Sequence, residues 1–197
     1  YKNSFSQVIY KKEDINLTQG DAIGITYMYS FANTLEDKNI KIWMANTTKD
    51  SFDTISGWMP ADNFVLVYDG TVTIEKGEGF LDLELIPNAF SYTGDNIAVM
   101  VEKLDDSWKS GCRFYKTETE TRDNVSIYYR ADGSPFDWTQ QGTLVSFYPN
   151  ILFTFNNTGE DDPNPDPDCN PVENLNASLD GRNVTLTWNT NDEEEDD

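Results

Sequence analysis

Alternation with a period of two runs through the first 156 residues, and no window of helical period reaches three turns. Successive side chains of a strand point to opposite faces, so this pattern confines the chain to half-buried strands and leaves no helices to cover a parallel sheet. Ile23, Ile25, Tyr27, Tyr29 and Phe31 fall on one face of an expected strand, with Ala22, Gly24, Thr26, Met28 and Ser30 on the other. The pattern returns at Ile40, Ile42 and Met44, at Val65 and Val67, at Val72 and Ile74, and at Leu81, Leu83 and Leu85 opposite Asp82 and Glu84. It continues through Ile97, Val99 and Val101, then Cys112 and Phe114, then Val125, Ile127 and Tyr129, and ends at Ile151, Phe153 and Phe155. About nine or ten strands are expected.

Turn chemistry separates the runs: Gln19-Gly20-Asp21, Glu36-Asp37-Lys38-Asn39, Asp69-Gly70, Lys76-Gly77-Glu78-Gly79, Thr93-Gly94-Asp95-Asn96 and Asp132-Gly133-Ser134-Pro135. Short strands at this spacing predict an all-β chain, an antiparallel β-sandwich of jelly-roll type. The longer connections, 45–63 and 104–112, are expected at the ends of the sandwich, where loops carry function.

After Asn156 the composition changes to alternating proline and acid, which makes an extended, self-repelling spacer. Three segments are therefore expected: a sandwich over 1–156, an acidic Pro-rich linker over 157–170, and a further segment over 171–197. Residues 157–197 carry 13 acids against one arginine, so more than half of the net charge of -21 sits outside the sandwich. An acidic balance of this size excludes nucleic-acid binding that tracks phosphates, because that affinity comes from Lys and Arg releasing counterions. No apolar run approaches the roughly 18 residues of a membrane helix, so no membrane insertion by helices is expected.

Histidine is absent altogether. Ser-His-Asp and Cys-His nucleophiles, imidazole-ligated zinc and imidazole acid-base chemistry are all excluded within this chain. Carboxylate pairs, Lys or Tyr remain for catalysis, and the pair Asp82 and Glu84 has the i, i+2 spacing of an ordinary solvent-facing strand. Cys112 and Cys169 are too few for a disulfide scaffold; one bridge between them, or a buried Cys112 with a free Cys169, are the alternatives.

Two stretches resemble known modules. Val172-Glu173-Asn174-Leu175-Asn176-Ala177, followed by Asn183-Val184-Thr185-Leu186-Thr187-Trp188, resembles the start of a fibronectin type III domain, here incomplete, since such a sandwich needs about seven strands. The run Phe5-Ser6-Gln7-Val8-Ile9-Tyr10, the segments Ile40-Lys41-Ile42-Trp43-Met44 and Gly57-Trp58-Met59-Pro60, and Phe90-Ser91-Tyr92-Thr93-Gly94-Asp95-Asn96 resemble a β-sandwich module of secreted and cell-surface proteins of Bacteroidota. The arrangement is similar to the adhesin regions associated with gingipain-like proteases. The resemblance implies a piece of a multimodular protein, a non-catalytic module, and a place outside the cell or on its surface. As partners it implies a host protein or glycan and other domains of the same polypeptide. It brings no ligand-contacting residues with it.

The binding candidates are instead three tryptophans on expected loops: Trp58 beside Gly57 and Pro60, Trp108 beside Asp106, and Trp138 beside Asp137. A flat indole next to carboxylates and hydroxyls suits the apolar face of a sugar, and it equally suits a protein interface. For Trp58 the plainer reading is that the indole caps the sandwich; for Trp108 and Trp138 capping and binding stand level. Asp105 and Asp106 offer the hard oxygens that calcium requires, but they lack the spacing of a calcium loop, so a solvated acidic loop is the plainer reading there. No other cofactor is expected. Three functions remain in contention: recognition or adhesion, carbohydrate binding in the service of a glycoside hydrolase, and a structural spacer. Exposed tryptophans favour the first two, and buried ones the third.

Overall fold

The computed structural model describes residues 1–105, 110–119 and 123–156, together with the backbone of Glu173–Asp180 and Asn183–Asn189. The chain divides into two compact units, Tyr1–Thr158 and Gly159–Asp197.

The first unit is built from antiparallel strands: β1 (Asn3–Tyr10), β2 (Gly20–Phe31), β3 (Leu35–Thr47), β4 (Val65–Ile74), β5 (Gly77–Glu84), β6 (Ser91–Tyr92), β7 (Asn96–Leu104), β8 (Cys112–Phe114), β9 (Lys116–Glu118), β10 (Ser126–Ala131), β11 (Thr143–Val145), β12 (Phe147–Pro149) and β13 (Ile151–Asn156). Six of them form one sheet in the order β11-β10-β1-β7-β3-β4. A second sheet has the order β13-β2-β5, with β6 and β8 also paired to β2, and β9 pairs with β12 alone. Among the described residues, helix is confined to one α-turn, Lys12–Ile15, and a 3-10 turn, Ala61–Asn63. No helix there is long and apolar enough to cross a membrane. In the second unit β14 (Glu173–Asp180) and β15 (Asn183–Asn189) pair antiparallel, with Ala177 opposite Leu186. The expected linker, 157–170, lies outside the described residues.

The two larger sheets enclose the main core. Val8, Ile42, Met44, Ile97 and Val99 from the six-stranded sheet meet Ile25, Tyr27, Tyr29, Phe31, Leu83 and Leu85 from the other. These are the alternating positions of the sequence, and each buried aliphatic side chain contributes about 1.5–3 kcal/mol to folding.

A second core lies on the opposite face of the six-stranded sheet. Ala98 and Met100 of β7 point there, as do Phe5 and Ile9 of β1 and Ile127 of β10, and they are covered by Phe52, Met59 and Phe64. Strand β7 is consequently buried on both faces from Asn96 to Met100. Residues 48–64 therefore lie over a sheet face instead of sitting as a free loop at the end of the sandwich. Gln7, fully buried, holds them there. Its Nε2 donates to the Met59 carbonyl at 2.9 Å, and its Oε1 accepts from the Met59 N–H at 2.8 Å.

Three local expectations are overturned, each for a backbone reason. Ile23 is exposed and Ala22 is buried, because the β13–β2 register shifts where Thr154 pairs with Gly24 and Phe155 pairs with Ala22. One extra residue in β2 turns the alternation over. The predicted turn at Glu36-Asp37-Lys38-Asn39 is a bulge inside β3, with Asp37 at φ 52°. It turns Lys38 inward, where only 8% of the residue is exposed and its Nζ lies 2.9 Å from Asp105 Oδ2. Asp69-Gly70 is no turn either; β4 runs straight through it from Val65 to Ile74. The expected turn at Thr93-Gly94-Asp95 does form, with Gly94 at φ 85° and the Thr18 carbonyl 2.7 Å from where a Cβ would stand.

Candidate functional site

The segment covering the far end of the six-stranded sheet, 132–142, is a string of aromatic anchors. Phe136 stacks flat on Phe5, with centroids 3.9 Å apart and planes within 2°. Trp58 meets the same two rings edge-on, at 5.3 Å from Phe5 and 4.8 Å from Phe136. Its Nε1 donates to the Gln140 carbonyl at 2.9 Å. A half-buried indole with its polar atom satisfied by the backbone ties loop 132–142 to loop 48–64. The Gly142 N–H donates to the Ile55 carbonyl beside it at 2.6 Å. A Cβ at Gly142 would stand 2.5 Å from Ile127 Cγ1 and 2.8 Å from the Trp58 ring, so only glycine lets the two loops close over the sheet.

Trp138 is held differently. Asp137 Oδ1 accepts from the Thr139 N–H at 2.8 Å and from the Thr139 hydroxyl, and the Gln140 N–H closes the turn on the Asp137 carbonyl. The two bonds from Thr139, hydroxyl first, hold the Asp137 carboxyl below the usual aspartate range. The turn presents the indole edge-on to Phe5 and Phe136 at 5.6 and 5.3 Å, yet 48% of the residue stays exposed. An exposed tryptophan fixed by two rings beneath it is pre-organised for contact, because little rotamer freedom remains to be lost on binding.

Trp138 forms one wall of a groove of about 490 Å³ on this face. Phe5, Trp43, Leu66 and Met100 line it from the sheet, Phe64 from the segment that covers the sheet, and Glu102 supplies a carboxylate. Glu102 is the cross-strand partner of Lys41, which in turn lies 2.9 Å from Asp69. The hydrogen bond and charge of Asp69, with a smaller contribution from Glu102, push the Lys41 amine up. The groove thus combines flat apolar walls, one acceptor and an adjacent ion pair, the composition of sites that take a ligand with an apolar face and hydroxyl or cationic edges.

Of the three tryptophans read from the sequence, the structure brings Trp58 and Trp138 into one cluster; Trp108 lies outside the described residues. Trp43, Phe64, Phe136 and Glu102 were missed. Trp43 carried a signal: it sits between inward-facing Ile42 and Met44, so a large apolar ring was due on the outer face. Asp105 is 12% exposed at its side chain and lies 2.9 Å from Lys38 and 3.7 Å from Lys103, so its charge is already countered by two ammonium groups. Asp106 lies outside the described residues. Among those described, no three Cys, Asp or Glu side chains gather as a metal site. Asp82 and Glu84 both face solvent on β5, with the Thr26 hydroxyl donating to Asp82. Cys112 is a half-buried free thiol close to the Asn33 and Ser110 carbonyls, and Cys169 falls outside the described residues.

These features define an all-β, sandwich-like protein with an aromatic groove on a sheet face. Comparison with family models, with curated proteins and with solved structures finds no match for the chain.

Proposed function

We propose that this chain is a non-catalytic extracellular recognition or adhesion module, a jelly-roll-like sandwich joined by an acidic linker to a fibronectin type III-like segment of a multimodular surface or secreted protein. The observation that carries the binding reading is Trp138, exposed by 48% while locked by Phe5 and Phe136 at the wall of a groove. A spacer has no use for an indole held in that way. The partner is a host protein or a glycan. Glu102 beside Trp43 and Trp138 favours the second, since a pyranose offers a flat C–H face to an indole and hydroxyls to a carboxylate. In that case the module serves as a carbohydrate-binding domain.

The test is binding of the 197-residue chain to an array of glycans and to a panel of matrix proteins, with Trp138→Ala alongside. Binding that falls at least about tenfold in the variant supports the reading, since a central aromatic anchor contributes roughly 1–2 kcal/mol or more. Binding unchanged by the substitution removes the groove from the account, and silence on both panels favours the spacer.

A further inference from the structure

A second cavity, remote from the aromatic groove, lies between the two sheets. It measures about 240 Å³ and is walled almost entirely by aliphatic and aromatic side chains. Three rows of the six-stranded sheet line it on one side. Val8 pairs with Val99, Ser6 pairs with Val101 and thence Ile42, and Ser4 pairs with Lys103 and thence Ile40. Tyr27, Leu81 and Leu83 stand opposite.

The cause is in the sequence of β1. Phe5 and Gln7 take the positions that face the second core, which leaves Ser4 and Ser6 on the face toward the other sheet. Two serines stand where Val8 shows that a larger apolar side chain belongs, and the space they vacate is not refilled. Protein interiors close such voids, so an apolar space of this size in a packed sandwich is a feature to be accounted for.

Its shape narrows the ligand. The three rows are two residues apart along β1, so the slot runs for roughly 13 Å at about 3.4 Å per residue, with Val8 and Val99 at its closed end. The far end is polar. There the Lys103 Nζ donates to the Tyr1 and Lys2 carbonyls at 3.1 and 2.8 Å, and lies 3.7 Å from Asp105, which Lys38 approaches more closely at 2.9 Å. Two ammonium groups share the Asp105 carboxylate at the mouth, and Asp132 acts on Lys103 as well. A long, narrow, apolar slot with the Lys103 ammonium at its end fits an unbranched alkyl chain with an anionic end.

We propose that the space between the sheets is a binding site for a medium-chain alkyl carboxylate, its chain between Ser6, Val101 and Leu83 and its carboxylate at Lys103. The site is independent of the groove at Trp138 and of the recognition reading.

The test is isothermal titration of the whole chain with decanoate, decanol and decylammonium, repeated on Ser6→Leu and Lys103→Met. Saturable binding of decanoate in preference to decylammonium is expected. Ser6→Leu fills the slot and should abolish binding while raising the melting temperature, which separates blocked binding from misfolding. Lys103→Met should weaken decanoate about threefold to fivefold and leave decanol unchanged, as expected for loss of one partly exposed charge pair. Should Ser6→Leu fail to fold, Ser4→Leu, nearer the mouth, reads the same effect. No saturable binding of decanoate by the folded chain, or binding that survives both leucine substitutions, overturns the proposal.

Discussion

Replacing Gln7 by leucine is the sharpest test of how the binding face is held. The side chain is nearly conserved in volume, so no cavity forms, and the substitution acts through the polar atoms alone. It strands the N–H and the carbonyl of Met59, a residue 3% exposed, since both are satisfied by the Gln7 amide. Each buried backbone group left without a partner costs about 1–3 kcal/mol, and a buried leucine returns part of that, so the net loss should be about 2–4 kcal/mol. For a unit of this size that is a fall in melting temperature of about 10 °C. Urea unfolding followed by tryptophan fluorescence gives the free energy, and hydrogen exchange at the Met59 amide locates it. The Met59 amide should lose protection more than amides of β2, because loop 48–64 loses its anchor first. Ligand affinity at the groove should fall with it, as Phe64 belongs to the same loop. A loss below about 0.5 kcal/mol, the level of an ordinary surface substitution, would refute the claim that this amide pins the loop.

Other expectations follow from buried charge and buried hydroxyls. Asp105→Asn should destabilise the chain by about 2 kcal/mol in chemical unfolding, because it leaves the buried Lys38 ammonium without its counter-charge. Burial pushes the Tyr10 and Tyr27 hydroxyls above their ordinary value of 10, with Tyr27 and Tyr148 adding to the effect at Tyr10. Both remain protonated in the folded chain while the unfolded chain ionises, so their stabilising contribution is intact below pH 10 and is lost at about 1.4 kcal/mol per pH unit for each tyrosine above it. Tyr10→Phe should lessen the alkaline slope by up to about 1.4 kcal/mol per pH unit, as measured by unfolding between roughly pH 10 and 11.5, with Tyr27, Tyr92 and Tyr115, whose hydroxyls are also raised, supplying the remainder. Desolvation lowers the Lys103 amine, which acts in the opposite sense, its penalty being relieved as pH rises toward 10.5. A chain ending at Thr158 should keep the melting temperature of the first unit within a degree or two of the full chain, roughly the scatter of an independent unit; a large drop would show that the second unit contributes to it.

The all-β class and most of the inter-sheet core were legible because alternation is a local property. Ile25, Tyr27, Tyr29 and Phe31 face inward as their spacing requires. The strand count was low because β6, β9, β11 and β12 hold only two or three residues each, too few for a period to register. Bulges defeated the reading at Ile23 and Lys38, where an inserted residue puts the alternation on its two sides out of step. Turn chemistry misled at Asp69-Gly70 because pairing with Lys41 and Ile40 across β3 overrides the local preference. The second core was half visible: Ile97, Ala98, Val99 and Met100 are apolar on both faces, the mark of a strand covered twice. Which loops cover it was not legible, since the closing contacts, Gln7 to Met59 and Gly142 under Trp58, join residues far apart in the chain. Trp138 was legible as a loop tryptophan whose exposure stayed open, whereas its groove depends on Trp43 and Glu102, which only the register of β3 and β7 brings alongside.

The most direct test of the binding face is a two-dimensional nuclear magnetic resonance titration of the indole N–H signals with the strongest binder from the glycan and matrix-protein panels. The account predicts that the signals of Trp138 and Trp43 shift together with increasing ligand, while that of Trp58, already donating to the Gln140 carbonyl, stays nearly fixed. Saturable binding that leaves Trp138 and Trp43 unmoved would contradict it and place recognition elsewhere on the molecule.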